Sequence, residues 1–363
     1  MKQDAWIFRE NSLDLLRLFA AAQVAILHSY DYLYPSAAKG FFLEWLSYFP
    51  GVPIFFFVSG YLISKSYEKS PSDSEYLRNR VLRLYPALVA CVLINIIMVW
   101  TSGYFGDSNA SMTDLGLLFF AKSTFFQFWN PDFMRQFGDG VLNGSLWTIT
   151  VELQFYVITP LFYYLFQKKG GPKNIDLLIL AVLFVVANRL LFSPLFDDVS
   201  SIEYKIYRIS FIPWFYMFLV GMLFQRNFAK LSRLISRLHP MLCVLTYSLI
   251  AATYFQFVGD IGNSVNPVLF LLVVVVLFRL AYFMPEKSNK LLKGNDISYG
   301  IYIWHMPILN QMLYFGFHES YLSVVFAIGL SFIIALLSWR FIERPALGFK
   351  SFSLNETFKK YNS

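Results

Sequence analysis

Cysteine and charge are both scarce in this sequence, and each shortage removes a class of protein. Its 363 residues include two cysteines, Cys91 and Cys243, and both fall in apolar stretches. Neither a disulfide framework nor a Cys-rich metal site is therefore available, and both thiols read as packing residues. Charged residues make up 15% of the chain, against about a quarter in a soluble domain, so water is not its main solvent. There is no internal repeat, and the low-complexity sequence is confined to a polar tail from Ser351. A cleavable leader is not expected, because Asp14 and Arg17 interrupt the apolar run ahead of Ala20-Ala21-Ala22. No soluble catalytic domain is expected beside the membrane part.

What is present in quantity is apolar and aromatic. Hydrophobic residues reach 57%, with 40 Phe, 23 Tyr and 8 Trp. Apolar stretches of about 20 residues fall near 13–33, 44–64, 84–104, 146–167, 176–196, 206–225, 238–258, 264–284, 297–317 and 321–342. The expected fold is all-α, a polytopic membrane bundle of about ten spans. Residues 1–346 form one membrane domain and 347–363 a short cytoplasmic tail. Residues 105–145 form a long connection whose apolar patch, Leu115 to Trp129, is interrupted by Lys122, so it is expected to be re-entrant or interfacial.

The net charge of +7 is organised by side. Five cations, Lys39, Lys122, Arg135, Lys205 and Arg208, fall on one set of connections, and Arg17, Arg189 and Arg279 lie inside spans. The remaining Lys and Arg, from Lys2 and Arg9 through Lys168 and Lys169 to Lys359 and Lys360, all fall on the other set. The positive-inside rule then places both termini in the cytoplasm. The basic balance is accordingly a topology signal, and no nucleic-acid partner is expected; the lipid bilayer is the expected partner.

Ionisable groups inside a bilayer are expensive and mark function more often than in a soluble core. The first span carries Asp14, Arg17 and His28; Arg17 and His28 share a face about 16 Å apart along the axis, and Asp14 is close enough to pair with Arg17. The plain alternative is an arginine snorkelling to headgroups and a histidine at the outer end. In the fourth span Ser145, Thr148, Glu152, Tyr156 and Thr159 make a continuous polar face, which is either an interhelical hydrogen-bond seam or a cavity wall. In the ninth, Ser298, Tyr302 and His305 repeat the pattern before Pro307. Three stripes in separate helices point to one internal cavity. Arg78, Arg80 and Arg83 precede the third span; they serve either topology or, for Arg80 and Arg83, a bidentate phosphate clamp.

Six motifs in order, Arg17 and His28 with ten residues between them, GVPIFFFVSGYLIS, RNRVLRLYP, SLWTITVELQFY, ISYGIYIWHMP and FIERP, resemble the membrane-bound acyltransferase-3 family over residues 12 to about 346. One departure is Trp147-Thr148-Ile149, where Trp-Ser-Leu is usual. The resemblance implies an O-acetyltransferase of the bacterial cytoplasmic membrane, with acetyl-CoA as acyl donor, a surface carbohydrate as acceptor and no metal. It implies that Arg17 and His28 are the reactive pair, that Arg80 and Arg83 meet the acyl-CoA, and that Glu152 is the motif carboxylate. On chemical grounds His28 is the expected base, oriented by Asp31, with Asp14 supporting Arg17. Ser59, Trp147 and Tyr302 line the cavity or donate to an oxyanion, and His305 joins them. Direct transfer in a ternary complex is expected over an acyl-enzyme. The competing reading is a transporter or flippase of a lipid-linked glycan, which would predict related halves and a midplane site. The other superfamily of membrane-bound O-acyltransferases lacks support from the spacing of Arg17 and His28.

Overall fold

The computed structural model describes residues 10–108, 110–167, 171–196, 198–199, 201–259 and 261–351. Lys2, Arg9, Lys168, Lys169 and the expected tail from residue 352 lie outside these. Every regular element among them is helical.

The chain opens with α1 (Leu13–Leu33), α2 (Phe41–Ser47) and α3 (Gly51–Lys69). The expected span 44–64 is thus broken at Pro50, which lacks an amide proton to continue α2. Next comes α4 (Asp73–Thr101), started by Ser72, whose side chain accepts from the Glu75 amide at 3.2 Å. The connection that follows holds α5 (Tyr104–Asp107) and α6 (Met112–Ser123), the latter opened by a Ser111–Asp114 capping box. At 12 residues α6 is about 18 Å long, too short to cross a bilayer. It packs on α4, and Lys122, expected to interrupt an apolar patch, is fully buried with Nζ donating to the Gln127 carbonyl and Asn130 Oδ1 at 2.6 and 2.7 Å.

The middle of the chain forms α7 (Trp147–Leu165), α8 (Asn174–Leu191), α9 (Ile202–Ile209), α10 (Phe215–Arg226) and α11 (Phe228–Ile235). Proline at the first position starts α12 (Pro240–Val258), α13 (Pro267–Ala281) and α14 (Pro285–Leu292). The chain then forms α15 (Ser298–Tyr314) and α16 (Tyr321–Ser338), a π-helical turn over Trp339–Glu343, and α17 (Arg344–Gly348).

At the centre, α15 is buried almost all round, as a helix enclosed by others must be. Pro307 removes the amide that would bond the Ile303 carbonyl. Asn143 Nδ2 supplies a replacement at 2.9 Å, with Cys91 Sγ at 3.4 Å, so the break leaves no orphan in an apolar interior. The tightest helix pair is α3 with α10. A Cβ at Gly60 would lie 2.0 Å from the Phe218 carbonyl oxygen, and one at Gly221 would lie 2.3 Å from that of Phe57. Two small residues facing each other bring the backbones together, as in membrane helix pairs. The outer faces of α8, α12 and α16 expose Leu183, Leu249 and Phe326 among many large apolar side chains, a surface suited to hydrocarbon.

Five helical stretches are long and apolar enough to cross a membrane. Counting the bent pairs α9 with the 3₁₀ turn and α10 (50°), and α13 with α14 (78°), as one span each raises this to seven. A helix overlies each of the ten expected segments, and the three that fall outside that measure are α1, α7 and α15. Those three carry the polar stripes.

Candidate active site

α15 packs against both α1 and α16, and this brings together two histidines 277 residues apart in sequence. His28 Nδ1 lies 3.0 Å from His305 Nε2, and His305 Nδ1 lies 3.2 Å from the Ile301 carbonyl oxygen. A carbonyl only accepts, so His305 Nδ1 carries a proton. With both rings neutral, His305 Nε2 then accepts and His28 Nδ1 donates. The remaining nitrogen, His28 Nε2, keeps its lone pair. Asp31, expected to orient His28, is 2.7 Å from Lys39 Nζ instead; the ring is oriented by His305.

His28 faces a cavity of about 310 Å³ whose walls include Tyr32, Lys39, Trp147, Arg208 and Tyr302. A second cavity of about 290 Å³ lies at the other end of the polar stripes, walled by Asp14, Arg17, Arg80, Arg83, Asp296 and Lys350 among others. Between them is a neck of about 30 Å³, the narrowest of the three spaces. The neck shares Arg17, Ser59 and Glu152 with the arginine cavity, and Val52 and Tyr302 with the histidine cavity. The three form one line, from α4's arginines to the histidine pair.

In the arginine cavity, Asp296 accepts from both Arg17 and Arg83. Burial alone would raise its pKa, but the two guanidiniums and the Ser298 amide and hydroxyl hold the carboxyl at about 2. Asp14, the expected partner of Arg17, is 3.8 Å away and largely exposed, so the main ion pair of Arg17 is with Asp296. Arg80 donates to Ser66 Oγ at 3.2 Å and sits over the rings of Tyr76 and Tyr156 at 6.0 and 5.8 Å. Lys350 adds another cation whose pKa is pushed down to about 8, first by burial and then by Arg80, Arg83 and Arg17. The residues just before it fold back on α4, where Arg78 Nη2 donates to the Phe349 and Lys350 carbonyls at 3.0 and 3.2 Å.

The neck is polar on one side. Glu152 Oε1 accepts from Tyr156 Oη at 2.7 Å and from Ser59 Oγ at 3.4 Å. Tyr302 Oη is 2.6 Å from Thr148 Oγ1, so the threonine at the position where serine is usual keeps its hydroxyl in use. Trp147 packs on Trp214 at 5.3 Å between ring centroids and lies under Arg208 at 4.8 Å.

Ten of the residues singled out in the sequence, Asp14, Arg17, His28, Ser59, Arg80, Arg83, Trp147, Glu152, Tyr302 and His305, fall on this line of cavities or against its wall, whereas Thr159 of the fourth span's polar face turns to the Phe155 carbonyl instead. Sequence reasoning missed Asp296, Lys350 and Glu343. Asp296 stands outside every apolar run, two residues before the stripe that begins at Ser298. Glu343, in the FIERP segment, is buried on the π-turn and accepts from Ser338 Oγ at 3.0 Å. Among the described residues no cluster of three or more His, Cys, Asp or Glu side chains could hold a metal ion.

The chain is 28% identical to Nodulation protein 10 of Rhizobium leguminosarum bv. viciae, covering 93% of each chain. It is 27% identical to the O-acetyl transferase of Shigella phage Sf6, covering 93% of this chain and 96% of that one. With the Peptidoglycan O-acetyltransferase OatA of Listeria monocytogenes it shares 28% identity over 92% of this chain and 55% of the relative. No solved structure matches it. A family model described as an acyltransferase domain matches residues 10–340, and the chain belongs to this acyltransferase-3 family as a multi-pass membrane O-acyltransferase.

Proposed function

We propose that the protein moves an acetyl group from acetyl-CoA in the cytosol to a hydroxyl of a surface or lipid-linked carbohydrate, in the bacterial cytoplasmic membrane. The observation that carries this reading is the unbroken line of cavities from four cations to the free nitrogen of His28. A thioester donor is a long, thin chain ending in phosphates, and this passage has a basic mouth, a narrow neck and a base at its far end. The fold reading that goes with it has ten spans and both termini in the cytoplasm, α1, α7 and α15 crossing despite their polar stripes. Residues 1–346 act as one membrane domain and the rest as a cytoplasmic tail.

In this reading Arg80, Arg83 and Lys350 receive the donor phosphates, charge-assisted contacts of the kind guanidinium groups favour. Arg17, shared by the arginine cavity and the neck, lies along the pantetheine. His28 Nε2 takes the proton of the acceptor hydroxyl as its oxygen attacks the thioester carbonyl. Ser59 and Tyr302, which line the neck, and Trp147, which lines the histidine cavity beside it, are the groups placed to favour the tetrahedral oxyanion. Collapse breaks the C–S bond, the proton passes from His28 to the departing sulfur, and an O-ester and free CoA result. Transfer is direct, without an acyl-enzyme.

The test is His28→Ala in purified, lipid-reconstituted protein with radiolabelled acetyl-CoA and surface glycan from a strain lacking the gene. Loss of a general base costs about 10²- to 10⁴-fold in rate. Normal membrane insertion with that loss supports the assignment, and retained full activity removes His28 from the mechanism.

A further inference from the structure

The histidine cavity holds a charge that the transfer chemistry does not use. Three ionic groups face it: Asp31, Lys39 and Arg208. Asp31 and Lys39 neutralise one another at 2.7 Å. Arg208, on the last turn of α9, has no carboxylate, and among the described residues its guanidinium makes neither an ion pair nor a hydrogen bond. It is nonetheless held in place. Its guanidinium carbon sits 4.8 Å over the Trp147 ring, and its backbone carbonyl accepts from Trp214 Nε1 at 2.7 Å. Trp214 is itself buried and packs on Trp147 at 5.3 Å. An arginine stacked on an indole keeps its planar edge, with its fork of donors, free for a partner. A cation braced by two tryptophans and aimed into a cavity without a counter-ion is a receptor for an anion.

We infer that the acceptor carries an anionic group, a carboxylate or a phosphate, and that Arg208 binds it while His28 Nε2 meets the hydroxyl to be acylated. This rests on the acyl-transfer reading above and adds to it a substrate class, an acidic or phosphorylated carbohydrate. The donor is excluded as the intended anion by position. Its phosphates meet the arginine cavity, and the neck of about 30 Å³ separates that cavity from Arg208. Arg208 is a specificity residue in this account, so its removal acts on acceptor KM.

The experiment uses the lipid-reconstituted full chain with acetyl-CoA and surface glycan from a strain lacking the gene. The glycan is offered in three forms: untreated, with its carboxylates reduced to alcohols, and treated with phosphatase. The wild-type protein is expected to lose about tenfold or more in kcat/KM on one treated form, the size of one lost charge-assisted contact. Which treatment does so identifies the anion. Arg208→Gln is expected to raise acceptor KM about tenfold on untreated glycan, to leave donor KM unchanged, and to abolish the difference between forms; Arg208→Lys should recover part of it. Equal rates on all three forms with wild-type protein would overturn the inference while leaving acyl transfer intact. A fall in kcat for Arg208→Gln at unchanged acceptor KM would also overturn it, placing Arg208 at the oxyanion. No acylation of any form would overturn both the transfer reading and this one.

Discussion

His28 leans on another histidine where a carboxylate would be usual, so its orientation depends on a neutral partner. Removing His305 leaves the His28 Nδ1 proton without an acceptor and the ring free to turn. His305→Leu should lower kcat roughly ten- to a hundredfold, by analogy with the loss of a partner that orients a metal-bound histidine, with donor KM unchanged. His305→Gln, which can still accept, should recover part of that loss. An unchanged kcat in His305→Leu would make the contact mere packing. Lys350 yields a pH prediction. Its pKa is pushed down to about 8, so the ammonium is charged at pH 7 and lost as pH rises through 8. Donor KM should therefore rise about threefold between pH 7 and pH 9, a modest figure because the group is partly solvated. Lys350→Met should be flat over that range, and a flat wild-type profile would remove Lys350 from donor binding. His28 was legible in the sequence because its spacing from Arg17 places both on one face of one helix. Its partnership with His305, 277 residues away, leaves no local trace. Asp296 was invisible for a related reason: a carboxylate in a connection carries no periodic signal, and only packing of α1, α4 and the start of α15 reveals that it serves two arginines.

Helices were easier to read than contacts. Apolar length alone located a helix for every expected segment, because backbone groups in hydrocarbon have little choice but the helix. What length could not reveal was interruption. The expected span 44–64 is two helices because Pro50 ends the bonding pattern, and the expected span 206–225 bends by 50° between α9 and α10, where Pro213 sits at the start of the second piece. The α3–α10 contact was hidden too, since Gly60 and Gly221 matter only once the helices touch. Gly60→Ala forces a methyl group to within 2.0 Å of the Phe218 carbonyl oxygen, so the helices must part. A loss of about 3 kcal/mol is expected, seen as a lower melting temperature in detergent. Gly116 on α6 has nothing within 4 Å of the corresponding position. Gly116→Ala should be neutral or stabilise by up to about 1 kcal/mol. Similar melting of the two variants would show that α3 and α10 are not locked by close approach.

For the molecule as a whole, orientation decides which cavity meets which substrate. In a variant with Cys91 and Cys243 replaced, Asn263→Cys beside the histidine cavity should react with a membrane-impermeant maleimide on intact cells. Ser72→Cys, ahead of α4, should react only after the membrane is opened. The reverse pattern would invert the proposed topology and put the arginine cavity on the wrong side for a cytosolic donor.

The neck described between the two cavities has a bearing on the cell's energy supply. A passage open to both sides of an energised membrane is a potential leak for protons, and every idle copy of the enzyme would drain the gradient. At about 30 Å³, against about 290 and 310 Å³ on either side, the neck is where water is scarcest. Arg17 stands in its wall with its guanidinium held by Asp296, and an arginine fixed at a constriction is a device found in pores that conduct water but reject protons. In the proposed reading, the same constriction that admits a slender donor also insulates the bilayer between turnovers. Widening it, for example by Phe55→Ala, should raise proton permeability of reconstituted vesicles even where acyl transfer survives.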